Sequence, residues 1–436
     1  MDCRTVDVWV FAAERYWPDP AERERVSRQL CEDVRSLAAN EGLALRCTTI
    51  TDDPGPLPAP PADPTGPGIL LPMSGGVQES MRRVAERYTC VAIGATHLAR
   101  TLPDESRTML LGRNAAPAAL EVYSVLGASG PVTILFRQPE ELVSMLRASR
   151  GVSALRSSRI LLVGGVEPWV LSASRNTDDL KHRLGMTVER VPLTDLSALI
   201  DTVSENDVHD EASRWLSSAT AVREPDADDV HAASRIRCAL RILMEQHGAD
   251  GVAIACFAML SQLGTTSCLA VSAVNDTPGM IAACEGDLDA AATMALMKGM
   301  TGQPAWMGNP VVGEGDTLTL VHCTAPTCFA GQRRPYTLHS HHESGIGVSP
   351  RVELPSSGPV TLCRIGRNGT TMSVHVGEAA GCPSYATCRT QLAIRLSSVN
   401  TLLDHSLGNH QILSFGDYER EARMAGRILG LDVLPR

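Results

Sequence analysis

Short apolar runs alternate with amphipathic stretches over the first 300 residues of the chain. Runs of this kind are typical of buried strands, and the amphipathic stretches are typical of helices with one buried face. The predicted strands lie at 5–12, 43–49, 89–94, 131–136, 187–191 and 251–257, with a further strand starting at Arg159. The predicted helices lie at 20–40, 176–184, 193–203 and 228–247, with one more between Asn114, as its N-cap, and Gly127. This alternation indicates parallel sheets covered by helices.

The pattern changes after about residue 300, where short alternating runs are separated by Gly, Pro and Asn. The runs are TLTLVHC, GPVTLCRIG, TTMSVHVGE and CRTQLAIRL. They predict an antiparallel β domain that ends with a helix at 418–429. We therefore expect an α/β protein with two Rossmann-like parallel-sheet domains, 1–155 and 156–300, followed by a C-terminal antiparallel β domain, 301–436. The Pro/Gly-rich stretch 51–68 is predicted to be a loop, and 205–229 an exposed acidic segment.

Composition limits the classes of partner that can be expected for the chain. Its 436 residues carry a net charge of −10, which argues against nucleic acid because phosphate binding needs a basic face. No apolar run reaches the roughly 18–20 residues that a membrane span requires. The N-terminal residues lack the pattern of a signal peptide, so we expect a cytoplasmic protein without membrane partners. The 13 cysteines include no CxxC pair, which indicates small buried side chains rather than structural zinc or a disulfide framework.

Residues 282–287 read AACEGD and lie between two apolar segments. Glu285 either begins a helix, where a carboxylate interacts favourably with the helix dipole, or is a working group in a cleft. Asp287 and Asp289 already supply charge to the helix dipole in positions that look more exposed, so the pattern leaves both interpretations open. The segment HSHHES (339–344) has a second concentration of polar groups. If it is extended, His339 and His341 share one face while His342 takes the other, so all three cannot easily bind one metal ion. VGGVEPW (163–169) lacks dinucleotide-loop spacing and is predicted to be a plain turn.

The order of several motifs resembles the L-fucose isomerase family, which is distantly similar to L-arabinose isomerase. These motifs are AACEGD, WMGN, HCTAP, HHESGIGV, CRTQ and LGNHQILSFGDY. LPMSGG and NAAPAALE resemble motifs of the family's N-terminal domain, and SSRILLVGGVEPW resembles the start of its second domain. The resemblance implies a metal-dependent aldose–ketose isomerase, typically using Mn²⁺. It also implies a small sugar substrate and a homo-oligomer, a trimer or hexamer.

The family's metal is held by a glutamate, an aspartate and a histidine. The resemblance assigns these positions to Glu285, Asn309 and His410, so an amide stands where the family has its second carboxylate. Asn309 can still offer its carbonyl oxygen to a hard cation, but it cannot accept a proton usefully. We therefore expect weaker metal binding, because the site has lost one negative charge.

The mechanism implied by the resemblance moves a proton between adjacent sugar carbons through an enediol. With Asn309 in place, we expect Glu285 to act as acid and base, and His322 or His342 to fill the second catalytic role. Asn409 and His342 are expected to contact the sugar. Asn114 is expected either to reach the site of a neighbouring subunit or simply to cap a helix. Two alternatives stay open: the same fold with aldol-type cleavage or epimerisation, and a non-catalytic sugar-binding descendant.

Overall fold

The computed structural model describes residues 5–51, 66–95, 102–329 and 331–436, which form two compact units, Met1–Ser153 and Ala154–Arg436. Each unit has its own sheet system. The predicted class, parallel α/β sheets followed by an antiparallel β part, is confirmed. The domain bounds 1–155, 156–300 and 301–436 stay a prediction.

The first unit is built on one parallel sheet. The elements assigned in chain order are β1 Thr5–Phe11, α1 Pro20–Asn40, β2 Ala44–Ile50, β3 Pro67–Pro72, α2 Gln78–Ala85, β4 Cys90–Gly94, α3 Asp104–Gly112, α4 Ala115–Ser129, β5 Val132–Phe136 and α5 Pro139–Ser157. The strand order is β2-β1-β3-β4-β5, and every pairing is parallel. The strand β3 and most of β1 are buried on both faces, as expected for a parallel sheet covered by helices. Most of the predicted loop 51–68 lies outside the described residues.

The second unit begins with another parallel sheet. Its first elements are β6 Arg159–Val163, α6 Thr177–Leu184, β7 Thr187–Val191, α7 Leu193–Ile200, α8 Glu205–Ser218, β8 Ala221–Val222, α9 Ala227–His247, β9 Gly251–Ile254, α10 Cys256–Leu263, α11 Cys268–Asp276, β10 Ile281–Ala283 and α12 Leu288–Thr301. The sheet order is β10-β9-β6-β7, so β10 lies at one edge. Every residue from Ile281 to Met297 is buried, which explains the apolar runs on both sides of Glu285.

The rest of the second unit is mainly antiparallel. Its elements are β11 Trp306–Val312, β12 Thr317–His322, β13 Cys328–Phe329, β14 Gln332–Arg333, β15 Tyr336–His339, β16 Ser349–Val352, β17 Pro359–Gly366, β18 Thr371–Ala379, β19 Thr390–Leu396, α13 Val399–Asp404, β20 Gln411–Phe415, α14 Glu419–Ile428 and β21 Asp432–Leu434. The strands run β17-β20-β11-β12-β19-β18, and β18 pairs back with β17, which closes the sheet into a six-stranded barrel. The helix α12 packs against both β10 of the parallel sheet and β17 of the barrel.

Three local expectations were wrong. Residues 205–218 form the helix α8, because Val208, Ala212 and Trp215 make a buried stripe at helical spacing within the acidic sequence. The strand predicted at 251–257 stops at Ile254, and α10 starts at Cys256. The helix after Asn114 continues past Gly127 to Ser129. In the described ranges, no helix combines the length and apolarity of a membrane span.

Candidate metal centre and cavity

Glu285 lies in a strained turn directly after β10, at the carboxyl end of the parallel sheet. Its φ of +57° and that of Gly286, +66°, are both left-handed. A non-glycine residue in this conformation costs about 1–3 kcal/mol and is found mostly where the surrounding structure enforces it. Here the Gly286 N–H donates to the Ile254 carbonyl at 2.9 Å, and the Glu167 N–H donates to the Glu285 carbonyl at 3.0 Å. Glu285 is buried in this turn and is not part of the following helix, which starts at Leu288 after the N-cap Asp287.

The glycine-rich loop at 164–169 holds this turn from the other side. It is a turn, as predicted, and its Gly165 carbonyl lies so close to Gly286 that a Cβ there would approach it to 2.1 Å. The Glu167 carboxylate accepts the N–H groups of Phe257 and Ala258 at 2.9 and 3.0 Å, which caps α10. The Trp169 indole N–H donates to Glu285 Oε2 at 2.9 Å. The loop therefore supports the candidate site, a role that its sequence did not show.

Asp287 organises the centre from behind. Its side chain caps α12 by accepting the Ala290 N–H at 2.9 Å, and it also pairs with the Arg364 guanidinium at 2.8 and 3.0 Å. Both partners are completely buried. Burial acts to raise the pKa of Asp287, but Arg364 and His410 outweigh it and hold that pKa well below its usual range. Asp287 was expected to be an exposed helix-start residue, and that expectation was wrong because its carboxylate is the counter-charge of a buried arginine.

Asp287 also fixes the orientation of His410. Its Oδ2 lies 2.8 Å from His410 Nδ1, so the Nδ1 proton is donated to the carboxylate. The other ring nitrogen, Nε2, then faces Glu285 Oε1 at 3.3 Å. A carboxylate that orients a histidine in this way is the usual support of a metal-ligating imidazole.

When the His410 ring is neutral, its Nε2 and Glu285 Oε1 are both acceptors. They can lie this close only if a proton or a metal ion is shared between them. Burial acts to lower the pKa of His410, but its hydrogen bonds to Asp287 and Glu285 outweigh burial and raise that pKa. Burial acts to raise the pKa of Glu285, and the hydrogen bond to His410 outweighs it, so that pKa is lowered. A proton satisfies the pair, and a divalent ion can take the proton's place.

His322 completes a triad with these two residues, and one ligand atom from each lies within 4.8 Å of the others. It ends β12, and its Nδ1 faces the Thr324 N–H at 3.2 Å and the Thr324 hydroxyl at 2.7 Å. Burial and the neighbouring His410 lower the pKa of His322 to about 3, so the ring is neutral. A neutral imidazole suits a ligand or a hydrogen-bonding group better than a cationic acid.

Asn309 lies on β11 beside this triad. Its Oδ1 accepts the Asn409 side-chain N–H at 3.1 Å, and it lines the same cavity as Glu285 and His322. The three residues assigned to the metal by resemblance, Glu285, Asn309 and His410, therefore come together from three separate segments. Their ligand roles stay a prediction.

Comparisons with known proteins agree with this geometry. The profile of the L-arabinose isomerase central domain matches residues 175–303, which include the Glu285 turn. The chain is 23% identical over 320 residues to the sulfoquinovose isomerase of Priestia megaterium (strain ATCC 12872 / QMB1551), covering 70% of this chain and 71% of that protein. It is 23% identical over 370 residues to the sulfoquinovose isomerase of Clostridium sp. (strain MSTE9), covering 80% and 82%.

These matches support the predicted similarity of the chain to the L-fucose/L-arabinose isomerase superfamily. The predicted family and enzyme class, an isomerase of the intramolecular oxidoreductase type, are therefore confirmed. These comparisons also support the coarser part of the predicted function, an isomerase that acts on a sugar.

The cavity next to the triad is lined by polar groups, apolar groups and thiols. The lining residues are Cys256, Phe257, Leu260, Thr266, Cys268, Cys284, Glu285, Asn309, His322, Cys323, Thr324, His341, Glu343 and Cys388. The aromatic rings of Trp169, Phe257 and His341 follow one another at 5.0 and 5.6 Å. Two carboxylates line the cavity, and no arginine or lysine is among these described lining residues.

The HSHHES segment is arranged differently from the extended strand that its histidines suggested. The strand β15 ends at His339, and the chain then turns, with the Gly345 N–H donating to the His341 carbonyl at 2.9 Å. His341 and Glu343 consequently line the cavity, and His342 is not among the described lining residues. The catalytic and sugar-binding roles expected for His342 stay predictions.

Asn114 and Asn409 are the two remaining sugar-contact predictions. Asn409 is exposed and joins Asn309 to His410, since its side-chain nitrogen also lies 3.4 Å from His410 Nε2. Asn114 belongs to the first unit. It is the N-cap residue of α4, as predicted, but its φ is +63° and its side chain makes no capping hydrogen bond. Its role in a neighbouring subunit's site stays a prediction.

Proposed function

We propose that this protein is a divalent-metal-dependent aldose–ketose isomerase acting on a sugar or modified sugar through an enediolate. The observation that carries the proposal is the pairing of Glu285 with His410 at 3.3 Å, with the His410 tautomer fixed by a buried carboxylate. Such a pair is satisfied by a cation. Glu285, His322 and His410 would hold the ion, and the Asn309 carbonyl oxygen would complete the set.

Mn²⁺ is proposed as the ion because the resemblance to the L-fucose isomerase family implies it, and the donor set is compatible with it. Imidazole nitrogen with carboxylate and amide oxygens is a mixed set that accepts Mn²⁺, whereas the thiols of the cavity do not belong to the triad. The bound ion would supply polarisation of the sugar carbonyl. The chain itself orients the site, because Asp287 holds His410 and Trp169 holds Glu285.

The substrate class follows from the relatives and from the cavity. Sulfoquinovose is the substrate named for the relatives, and it carries an anionic sulfonate. The described lining residues offer that group no positive side chain, so we place an uncharged aldose beside sulfoquinovose as a candidate. We also propose that the protein is a cytoplasmic homo-oligomer.

The experiment that tests the function measures proton exchange and interconversion together. The purified protein is treated with a chelator, reconstituted with Mn²⁺, Mg²⁺ or Zn²⁺, and incubated in D₂O with sulfoquinovose and a panel of aldoses and ketoses. We expect metal-dependent interconversion with deuterium entering the sugar. Fragments instead of an isomer would favour aldol-type cleavage, a stereoisomer would favour epimerisation, and the absence of both metal binding and exchange would favour a sugar-binding protein.

A variant of Glu285 makes the test specific to the site. E285Q removes the charge that faces His410, so it should abolish stoichiometric Mn²⁺ binding and turnover, whereas E314Q, at an exposed glutamate outside the cavity lining, should change neither. Full turnover in E285Q would contradict the assignment. Isomerase activity that appears only in N309D would show that the native protein catalyses another reaction.

A further inference from the structure

We propose that Glu343 is the second acid–base residue of the site and performs the proton transfer that an amide at position 309 cannot. The proposal rests on the proposed isomerase function. It answers a chemical need, because isomerisation requires a group that removes a proton from one carbon and returns it to the next. Asn309 has no titratable group with which to do so.

The cavity supplies two carboxylates, and only one of them is uncommitted. Glu285 Oε2 accepts the Trp169 indole N–H at 2.9 Å, and Glu285 Oε1 faces His410 at 3.3 Å. A carboxylate held in this way serves as a ligand. The Glu343 carboxylate forms neither an ion pair nor a hydrogen bond with another described residue, although it lines the same cavity.

The turn that carries Glu343 is held firmly enough to place a base. The His341 N–H donates to the Ile346 carbonyl at 3.0 Å, and His341 Nδ1 lies 3.0 Å from the Ser344 hydroxyl. The His341 ring packs edge-on against Phe257 on the cavity wall. At the end of the turn, Gly347 approaches Thr266 so closely that a Cβ would come within 2.4 Å of its hydroxyl oxygen.

The other polar groups of the wall are less suited to this step. His322 has its Nδ1 engaged by Thr324, and the proposed ion would use its other nitrogen. His341 has its Nδ1 engaged by Ser344, and its ring is buried against Phe257. Glu343 is exposed at the mouth of the cavity and retains both oxygens for a substrate.

The proposed step conserves atoms and electrons without an additional reactant. The Glu343 carboxylate takes the proton from C2 of the aldose, the C–H electron pair forms a C1–C2 double bond, and the carbonyl electrons move to O1. A proton then passes from the C2 hydroxyl to O1. The Glu343 carboxylic acid returns its proton to C1 as the C2 carbonyl forms, which gives the ketose and regenerates the carboxylate.

The test compares E343Q with wild type and with E378Q, a matched control at another exposed glutamate of the second unit. We expect E343Q to lower kcat about 10²–10⁴-fold, the usual contribution of general acid–base catalysis, and to abolish deuterium uptake from D₂O. Mn²⁺ affinity and KM should stay within about twofold, and E378Q should behave like wild type. N309D in the E343Q background should restore part of the exchange, because it places a carboxylate beside the same cavity.

The outcomes separate this inference from the proposed function. If wild type exchanges protons and E343Q keeps more than about a tenth of that rate, Glu343 is not the base while the isomerase proposal stands. Loss of Mn²⁺ binding in E343Q would also overturn the assignment, since it would reveal a structural role. If wild type exchanges no sugar proton with any metal, the isomerase proposal fails and this inference fails with it.

Discussion

Replacing Asp287 by asparagine removes one charge from the centre and little else. Asparagine caps a helix as well as aspartate does, so the bond to the Ala290 N–H should survive. Its carbonyl oxygen can also still accept the hydrogen bond from the His410 Nδ1–H. What it cannot do is balance Arg364, whose side chain is completely buried. Removing one partner of a buried ion pair typically costs about 3–5 kcal/mol, which is a large part of the roughly 5–15 kcal/mol that stabilises a domain.

Hydrogen exchange followed by mass spectrometry measures this cost locally. Peptides that cover 281–301 should lose about 3–5 kcal/mol of opening free energy in D287N. D226N is the matched control, because Asp226 also caps a helix, α9, but is exposed and pairs with no arginine. Mn²⁺ affinity should fall about 10–100-fold, because a neutral amide orients His410 but raises the basicity of its imidazole less than a carboxylate does. Equal protection in D287N and D226N would refute the argument that the Arg364 pair holds the centre together.

Three further perturbations follow from the geometry of the site. The pKa of His410 is raised, and a metal ion must displace the proton of its Nε2. Mn²⁺ affinity measured by calorimetry should therefore fall about tenfold per pH unit below that pKa, and a flat profile would contradict this. In the metal-free protein this histidine stabilises the fold below its unfolded pKa of about 6.5, and the contribution is lost as pH rises through the raised folded pKa. G286A places a Cβ 2.1 Å from the Gly165 carbonyl oxygen. The matched control is G302A, because its Cβ meets nothing within 4 Å at a similar φ. Chemical denaturation should show about 1–3 kcal/mol more destabilisation for G286A than for G302A. W169F keeps an aromatic ring but removes the donor to the site carboxylate, so a Mn²⁺ titration should show roughly tenfold weaker binding, and an unchanged affinity would show that this hydrogen bond is dispensable.

Much of the fold could be predicted from the hydrophobic periodicity of the sequence, because burial of one or both faces of an element imposes that periodicity. Strands such as β1 and β3 are apolar on both faces and are therefore readable, and the barrel strands alternate clearly. The predictions were wrong where two signals competed. In α8 the acidic residues obscured a narrow buried stripe, and at 251–257 the apolar run continued from a strand into a helix. The barrel is completed by the long-range pairings of β20 with β11 and β17, which no local pattern encodes.

The site was predictable where a residue stands in a recognisable motif. Glu285 and His410 stand in such motifs, and the structure brings their side chains within 3.3 Å of each other although they are far apart in sequence. The supporting residues could not, because their function depends on partners that only the fold provides. Arg364 looks like one more strand residue, and Trp169 follows an ordinary glycine turn, yet each contacts a carboxylate of the centre. Similarly, the turn after β15 places His341 and Glu343 at the cavity wall, whereas the sequence motif had suggested His342.

The charge at the centre explains why the amide at position 309 is compatible with metal chemistry. Asp287 is paired with Arg364, and in the proposed site His322 and His410 would be neutral ligands, so Glu285 would be the one anionic ligand of the proposed set. Fewer anionic ligands weaken binding but leave more of the ion's charge to polarise a substrate carbonyl. A second carboxylate at 309 would bind the ion more tightly and reduce that polarisation. If Asn309 is a neutral ligand as proposed, metal binding and proton transfer would be carried out by different residues, which the exposed carboxylate of Glu343 at the cavity permits.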